Sequence, residues 1–445
     1  MGFAAGLVPG LHMNNIAALL SAYAGFFTSL FALLHGIGGT GSSGILAACF
    51  ISSAVIGHLF SESITSTFVG IPSEDTISVL PAHRLAKAGL GTIAVRAASN
   101  GSLAGVLIGS LAIVPICMVM GPPIRFYDAI KQLMGAIILF FSAVLLASEG
   151  LPSLSSRRGS SVIKILKAVA IFEAAGVLGM LVLRTNFFAC SLPDFPWREQ
   201  AFVPKSALLL PLFAGLFGIP SLLLSLGSRS ASSLSSGGVK LQKGWAHPRE
   251  CVLSLLGGVI VGWMPGMTSG SAATLCSPGA KEITSQDSIG SSVRFIWLYS
   301  SISATGAVFS VGALFIISRA RSGSMDAAEH FLGEYGSTSA SSGVFLIMGY
   351  IVLAMMVGAV LSRFAIDMAI PRLGHATRAL CSDRAAIASI LFVSTLSMIL
   401  TGTRGALLLA TSCALGLFPP LIGVRRIQLM GCLLVPIMVL FLTGR

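Results

Sequence analysis

Apolar stretches near the length of a membrane helix, parted by short polar or basic breaks, recur along almost the whole chain. They lie at about 14–35, 45–60, 102–120, 131–149, 167–185, 204–226, 251–275, 290–318, 343–361, 385–402, 405–423 and 427–443. Each is close to the roughly 20 residues a helix requires to cross a bilayer core. The pattern predicts an all-α polytopic membrane protein. Two of the stretches are interrupted by the same phrase, GLVPGLHMNNIAAL from Gly6 and GWMPGMTSGSAATL from Gly262. Pairing Pro9 with Pro265 and Gly10 with Gly266 gives one constant offset, 265 − 9 = 256. Proline removes a rung of the helical ladder and glycine permits a sharp turn. Such a break is tolerated in lipid only where protein shields it or where it lines a cavity. Matching breaks in two halves of a chain point to a binding site.

Composition fits this class. Hydrophobic residues make up 54% of the chain and charged residues 10%, with a mean hydropathy of +0.90. The average soluble domain is roughly 25% charged. The net charge of +12 does not point to nucleic acid, because Lys and Arg sit in short clusters between apolar runs without interleaved aromatics. They read as topology signals. Arg157, Arg158, Lys164 and Lys167 form one cluster and Arg229, Lys240, Lys243 and Arg249 another, both expected on the cytoplasmic side of the cell membrane. The segment of Asp194 and Glu199 between them is expected outside. No basic region follows Met1, so no cleavable leader is expected.

The Ser- and Gly-rich basic stretch at 227–249 has the composition of a flexible linker. It divides the chain into a first repeat, 1–226, and a second, 250–445. SVLPAHRLAKAG (Ser78 to Gly89) and GALFIISRARSG (Gly312 to Gly323) also correspond. The first is followed by Arg96 and the second by Asp326, Glu329 and Glu334. Opposite signs after equivalent segments predict an inverted repeat, each half carrying a Pro-Gly-interrupted re-entrant hairpin. The first hairpin has the shorter arm: only Met1 to Val8 precede Pro9, whereas Cys251 to Met264 precede Pro265.

A helix that restarts after such a break presents backbone N–H groups and a positive dipole end to an anion. Pro9, Gly10, His12, Asn14 and Asn15 in the first half, and Pro265, Gly266, Thr268, Ser269 and Ser271 in the second, are therefore the candidate substrate-binding residues. The alternative is that their polar side chains only cap the new helices. A second constellation, Ser73, Glu74 and Asp75 after Pro72, places adjacent carboxylates among Ser61, Glu62, Ser63, Thr65, Ser66 and Thr67. Carboxylates at membrane depth mark proton relays, cation sites or gates. Their hard oxygens suit Na⁺ or H⁺ coupling, while the plainer reading has them cap the helix after Thr76. The counterpart in the second half, with Ser301 and Ser303, carries hydroxyls and no acid. Glu173, alone in an apolar run, is expected to face the protein interior or to pair. The eight cysteines show no Cys-x-x-Cys pair and are expected to pack as small apolar residues. No nucleophile elbow, P-loop, zincin or dinucleotide motif is present, so neither enzymatic catalysis nor ATP hydrolysis is expected.

Five ordered blocks, GLVPGLHMNN, STFVGIPSEDTISVLPAHRLAKAGLG, GWMPGMTSG, SSISATGAVFSVGALFIISRARSG and GLFPPLIGVRRIQLMG, resemble the large permease subunit of tripartite tricarboxylate transporters, most closely the archaeal branch. The resemblance implies secondary, cation-coupled uptake of di- or tricarboxylates at the two hairpin tips, with Na⁺ or H⁺ as coupling ion and no cofactor. It also implies a small membrane subunit and an extracytoplasmic solute-binding protein as partners. The chain departs from the family in its short first arm and in Ser73, where an acidic residue is expected. The same Pro-Gly hairpins with small hydroxyl residues also resemble polyprenyl-phosphate translocases of envelope synthesis, which is the alternative reading.

Overall fold

A chain in hydrocarbon satisfies its backbone N–H and C=O groups by closing them within helices or within a closed barrel. A computed structural model describes residues 1–8, 13–22, 24–35, 40–69, 81–83, 85–86, 88–147, 149, 158–185, 208–226, 248–264, 267–276, 289–318, 320, 322–333, 342–372 and 383–443. All regular structure among them is helical. In order, the helices are α1 (Gly2–Gly6), α2 (Met13–Ala22), α3 (Ala24–His35), α4 (Thr40–Val69), α5 (Gly91–Met120), α6 (Phe126–Lys131), α7 (Met134–Ala147) and α8 (Arg158–Leu183). Then come α9 (Leu209–Phe213), a π-helical turn (Ala214–Gly218), α10 (Ile219–Ser225), α11 (Pro248–Trp263), α12 (Ser269–Cys276) and α13 (Ile289–Ile317). The last are α14 (Gly323–Leu332), α15 (Ser342–Ala369), α16 (Asp383–Leu421) and α17 (Gly431–Thr443).

Seven helices among the described residues are long and apolar enough to cross a membrane, and three shorter apolar helices accompany them. Of the twelve expected spans, seven reappear at membrane length, three as shorter apolar helices, and two are divided. The stretch at 14–35 is divided into α2 and α3, and the stretch at 251–275 into α11 and α12. Inside α16, Gly402 takes φ 64° and ψ −160°, a conformation open to glycine because it has no Cβ. It parts the runs at 385–402 and 405–423 where the hydropathy pattern does.

Small residues let helix backbones approach closely where no hydrophobic effect drives association, and these contacts fix helix direction. Gly358 of α15 lies on Ser53 of α4, and Gly57 of α4 lies near Ser362, so α4 and α15 run parallel. Gly101, Gly105 and Gly109 of α5 meet Trp297, Ser301 and Val308 of α13, again in parallel. Gly91 at the start of α5 meets Phe68 at the end of α4, so those two are antiparallel. It follows that α4 and α13 run in opposite directions. The short helix α1 follows α4 in parallel, Gly2 on Ala54 and Gly6 on Ser61. In the same way α11 follows α13, with Gly257 on Ile302, Gly258 on Thr305 and Gly262 on Phe309.

The packing is organised by segments from both sequence halves. Helices α1 to α5 and α11 to α15 form one group. The other is built from α7 to α10 with α16 and α17, where Gly176 and Gly179 of α8 lie on Val435 and Cys432 of α17. In this second group Glu149 holds the turn before α17, accepting from Arg425 Nε at 2.8 Å and from Gln428 Nε2 at 3.1 Å.

Candidate functional site

The second Pro-Gly break is flanked by α11 and α12. Ser269, the first residue of α12, is bonded to Ser303 of α13, whereas Ala272 and Ala273 belong to the cluster of Phe295, Trp297, Leu298 and Ile302. Thr268 caps the new helix: its Oγ1 accepts the Ser271 N–H at 3.2 Å and lies 2.9 Å from Ser271 Oγ, the arrangement that satisfies an otherwise orphaned donor. The capping role expected of these side chains is thus present at Thr268. Ser269 does something different: its Oγ accepts the Ser303 hydroxyl at 2.8 Å, tying the start of α12 to the middle of the long helix.

Ser301, two residues before Ser303, points the other way around α13. Its Oγ lies 2.6 Å from Ser254 Oγ of α11, and Ser254 Oγ lies 3.1 Å from Thr305 Oγ1. Thr305 donates to the Gly105 carbonyl of α5 at 3.0 Å. All three side chains are buried. This chain of hydroxyls, Ser301 among them, stitches α11, α13 and α5 together, while Ser303 faces α12. Ser254, Thr305 and Gly105 are not apparent as partners in the sequence, because each lies on a different helix.

A narrow cleft of about 40 Å³ opens beside Ser303. Glu62, Ser63, Ser66 and Thr67 of α4 line one wall, Ser102 of α5 and Tyr299, Ser300 and Ser303 of α13 the others. Glu62 Oε2 stands 3.5 Å from His58 Nε2, one turn earlier on α4; His58 is 3% exposed and the Glu62 side chain 18%. The hydroxyls of this turn bond backward to their own helix: Ser63 to Phe60 O at 2.6 Å and Ser66 to Ser63 O at 3.3 Å. Thr65 bonds to Glu62 O at 3.0 Å and across to Gly6 O of α1 at 3.1 Å. With their protons spent on carbonyls, the Ser63 and Ser66 oxygens remain as acceptors. The spacing His58, Glu62, Ser66 is a sequence signal for one helix face, overlooked beside the more conspicuous Glu74 and Asp75.

Ser73, Glu74, Asp75, Pro9, Gly10, His12, Pro265 and Gly266 lie outside the described residues. Asn14 and Asn15 fall in the first turn of α2, and their side chains are likewise outside the description. Glu173 corrects an expectation: it is exposed on α8. The opposite face of α8, with Phe172, Ala175, Gly176 and Gly179, is the one occupied by α17 and the turn before it, which leaves Glu173 pointing away from the bundle. Among the described residues six cysteines are free thiols, two of them buried.

Seven membrane-length apolar helices and no regular structure but helix among the described residues define a multi-pass integral membrane protein. The model of the tripartite tricarboxylate transporter TctA family matches residues 1–431, and the chain belongs to that family. The family is one of membrane transport proteins. The chain is also 27% identical over 227 residues to an uncharacterized protein of Methanocaldococcus jannaschii. That stretch is 51% of this chain and 46% of the relative, so the chain spans about half the length of the curated relative it matches. No solved structure matches. The lipid-carrier alternative finds no support in these matches.

Proposed function

We propose that the chain is the permease of a secondary transporter that takes up di- or tricarboxylates and binds them between the tips of two re-entrant hairpins, one in each half of an inverted repeat. The observation that carries this reading is the Ser269–Ser303 bond, which seats the start of α12 against α13 at the edge of the polar cleft. Helix N-termini receive carboxylates through backbone N–H groups, without a buried cation. The directions of the helices support the repeat: α1 is parallel to α4, α11 is parallel to α13, and α4 and α13 are antiparallel. Transport runs on a gradient of Na⁺ or H⁺, with Ser73, Glu74 and Asp75 as the candidate coupling residues. Membership of a tripartite family supports a small membrane subunit and an extracytoplasmic solute-binding protein as partners.

The test is thermal unfolding of the detergent-purified protein with citrate, succinate and other di- and tricarboxylates, with and without Na⁺. A ligand at about 100 times its Kd stabilises by roughly 2.7 kcal/mol, which shifts a melting curve visibly. A shift with a carboxylate supports the permease reading and gives its substrate class. No shift with any of them sinks it.

A further inference from the structure

Glu173 stands at the depth where a carboxylate is hardest to place. The apolar span of α8 runs from Val162 to Leu183, which leaves Glu173 eleven residues from one end and ten from the other. At the helical rise that is about 15 Å from each end, roughly half of a bilayer core. Its side chain is exposed, on the side of α8 turned away from α17. It has no hydrogen-bond or ion-pair partner among the described residues. Its own helix offers none either. One turn away on each side stand Val169, Ala170, Gly176 and Val177, and the basic residues Lys167 and Arg184 are six and eleven positions off, beyond the reach of i,i+3 and i,i+4 pairs. A charged side chain turned to lipid tails at that depth is costly, and intramembrane acids accordingly stand against protein or water, commonly paired.

We propose that this side of α8 is a docking surface for a membrane helix of another polypeptide, one that presents a Lys or Arg to Glu173 near mid-membrane. A carboxylate and a cation attract at that depth with little screening by water or salt. The surface beside Glu173 suits a close approach. Ala170 and Ala174 are both exposed there, and small residues at four-residue spacing let a second backbone come near. A lipid headgroup does not reach a group about 15 Å below the edge of the core.

Two copies of this chain do not complete the pair. Twofold packing of α8 on itself sets Glu173 against its own copy, a contact between like charges. Nor do the described spans of a second copy bring a cation to that depth. Their exposed basic residues, Arg96, Lys164, Lys167, Arg294, Arg372 and Arg404, all stand within five residues of a span end. The cation therefore comes from a different polypeptide. The inference goes beyond the permease reading and does not rest on it.

The experiment uses two synthetic Leu- and Ala-based membrane peptides of about 20 residues, identical except for a central Lys in one and a central Leu in the other. Their association with the full-length protein in lipid vesicles is read by fluorescence transfer. The Lys peptide should bind about 3- to 20-fold more tightly than the Leu peptide, the range for polar contacts between membrane helices. Glu173→Leu should bind both alike and keep the wild-type melting temperature, since no contact within the chain is lost. Equal binding of the two peptides to the wild-type protein overturns the proposal. So does a Glu173→Leu chain that melts lower or fails to fold, because the carboxylate then serves the chain's own interior. In native membranes, a photo-cross-linking amino acid in place of Val177 reports what covers the surface. Support is an adduct to a membrane helix of another polypeptide, with Lys or Arg at mid-span, that disappears with Glu173→Leu. An adduct between two copies of this chain overturns the proposal.

Discussion

The arm α1 on α4 and the arm α11 on α13 share one packing device and differ in what they serve. In both, glycines 256 residues apart, Gly2 with Gly258 and Gly6 with Gly262, lay the arm against the next long helix. The arm lengths differ, five residues in α1 against sixteen in α11. So does the chemistry beneath. Under α1 lie the Ser61 side chain and the backbone of His58 and Glu62, whose Glu62 side chain lines the cleft. Under α11 lie Ile302, Thr305 and Phe309, with a closed hydroxyl chain from Ser254 to Ser301 and Thr305. One half therefore combines close packing with titratable groups, and the other with neutral bonds. A duplicated backbone does not carry duplicated chemistry.

Overfilling the glycine seams should have the largest effect. Gly262→Leu drives a side chain into Phe309 and the Gly306 carbonyl, and Gly6→Leu into Ser61, the His58 carbonyl and the Glu62 amide. Each should lower stability by about 1–3 kcal/mol or more, seen as a fallen melting temperature or lost expression in detergent. If Gly6→Leu alone is tolerated, the short arm does not pack as the long one does, and the likeness between them fails.

Breaking the neutral bonds of the second half should have a smaller effect. Ser254→Ala should cost about 0.6–1.7 kcal/mol, the range for hydrogen bonds between membrane helices. Ser269→Ala and Ser303→Ala should be non-additive in a thermal-melt cycle because they remove the same bond. Strict additivity there removes the tie between hairpin and cleft.

The smallest effect concerns α14. Burial, and then the neighbouring Asp326, push the Glu329 carboxyl up from its ordinary value, while a backbone hydrogen bond from Ala320 pulls it down by less. A carboxyl raised on folding favours the folded state while it is protonated, and that contribution is lost as pH rises through its folded value. Glu329→Gln should therefore raise the melting temperature slightly at pH 7 and not at all once pH falls below the carboxylate range. Melting curves at pH 4 and pH 7 decide it; equal curves for both proteins at pH 7 remove the burial effect.

Much of this was legible in the sequence, because hydropathy and helix length are set by the bilayer and do not depend on neighbours. The spans, the break at Gly402, the weak point after Trp263 and the family were all readable in order along the chain. The Ser269–Ser303 bond was half legible: both residues were singled out, but 34 positions apart nothing linear says that they touch. That Ser301 meets Ser254 while Ser303 meets Ser269 was not legible, since a hydroxyl on a long helix looks the same whichever way it points. Glu62 was named only as a flank of Glu74 and Asp75, and Glu173 was expected to face inward or to pair.

The amino-acid sequence by itself determined that this chain enters a membrane as helices, where two of its stretches break, and which family it belongs to, because these follow from local composition and from the register of a repeated phrase. Tertiary structure alone decided which helices run parallel, that each packing group takes segments from both halves of the chain, and that Glu62 shares a cleft with Ser303. Those outcomes depend on where backbones can approach closely. That is settled by glycines and small residues meeting across the bundle from distant positions in the chain.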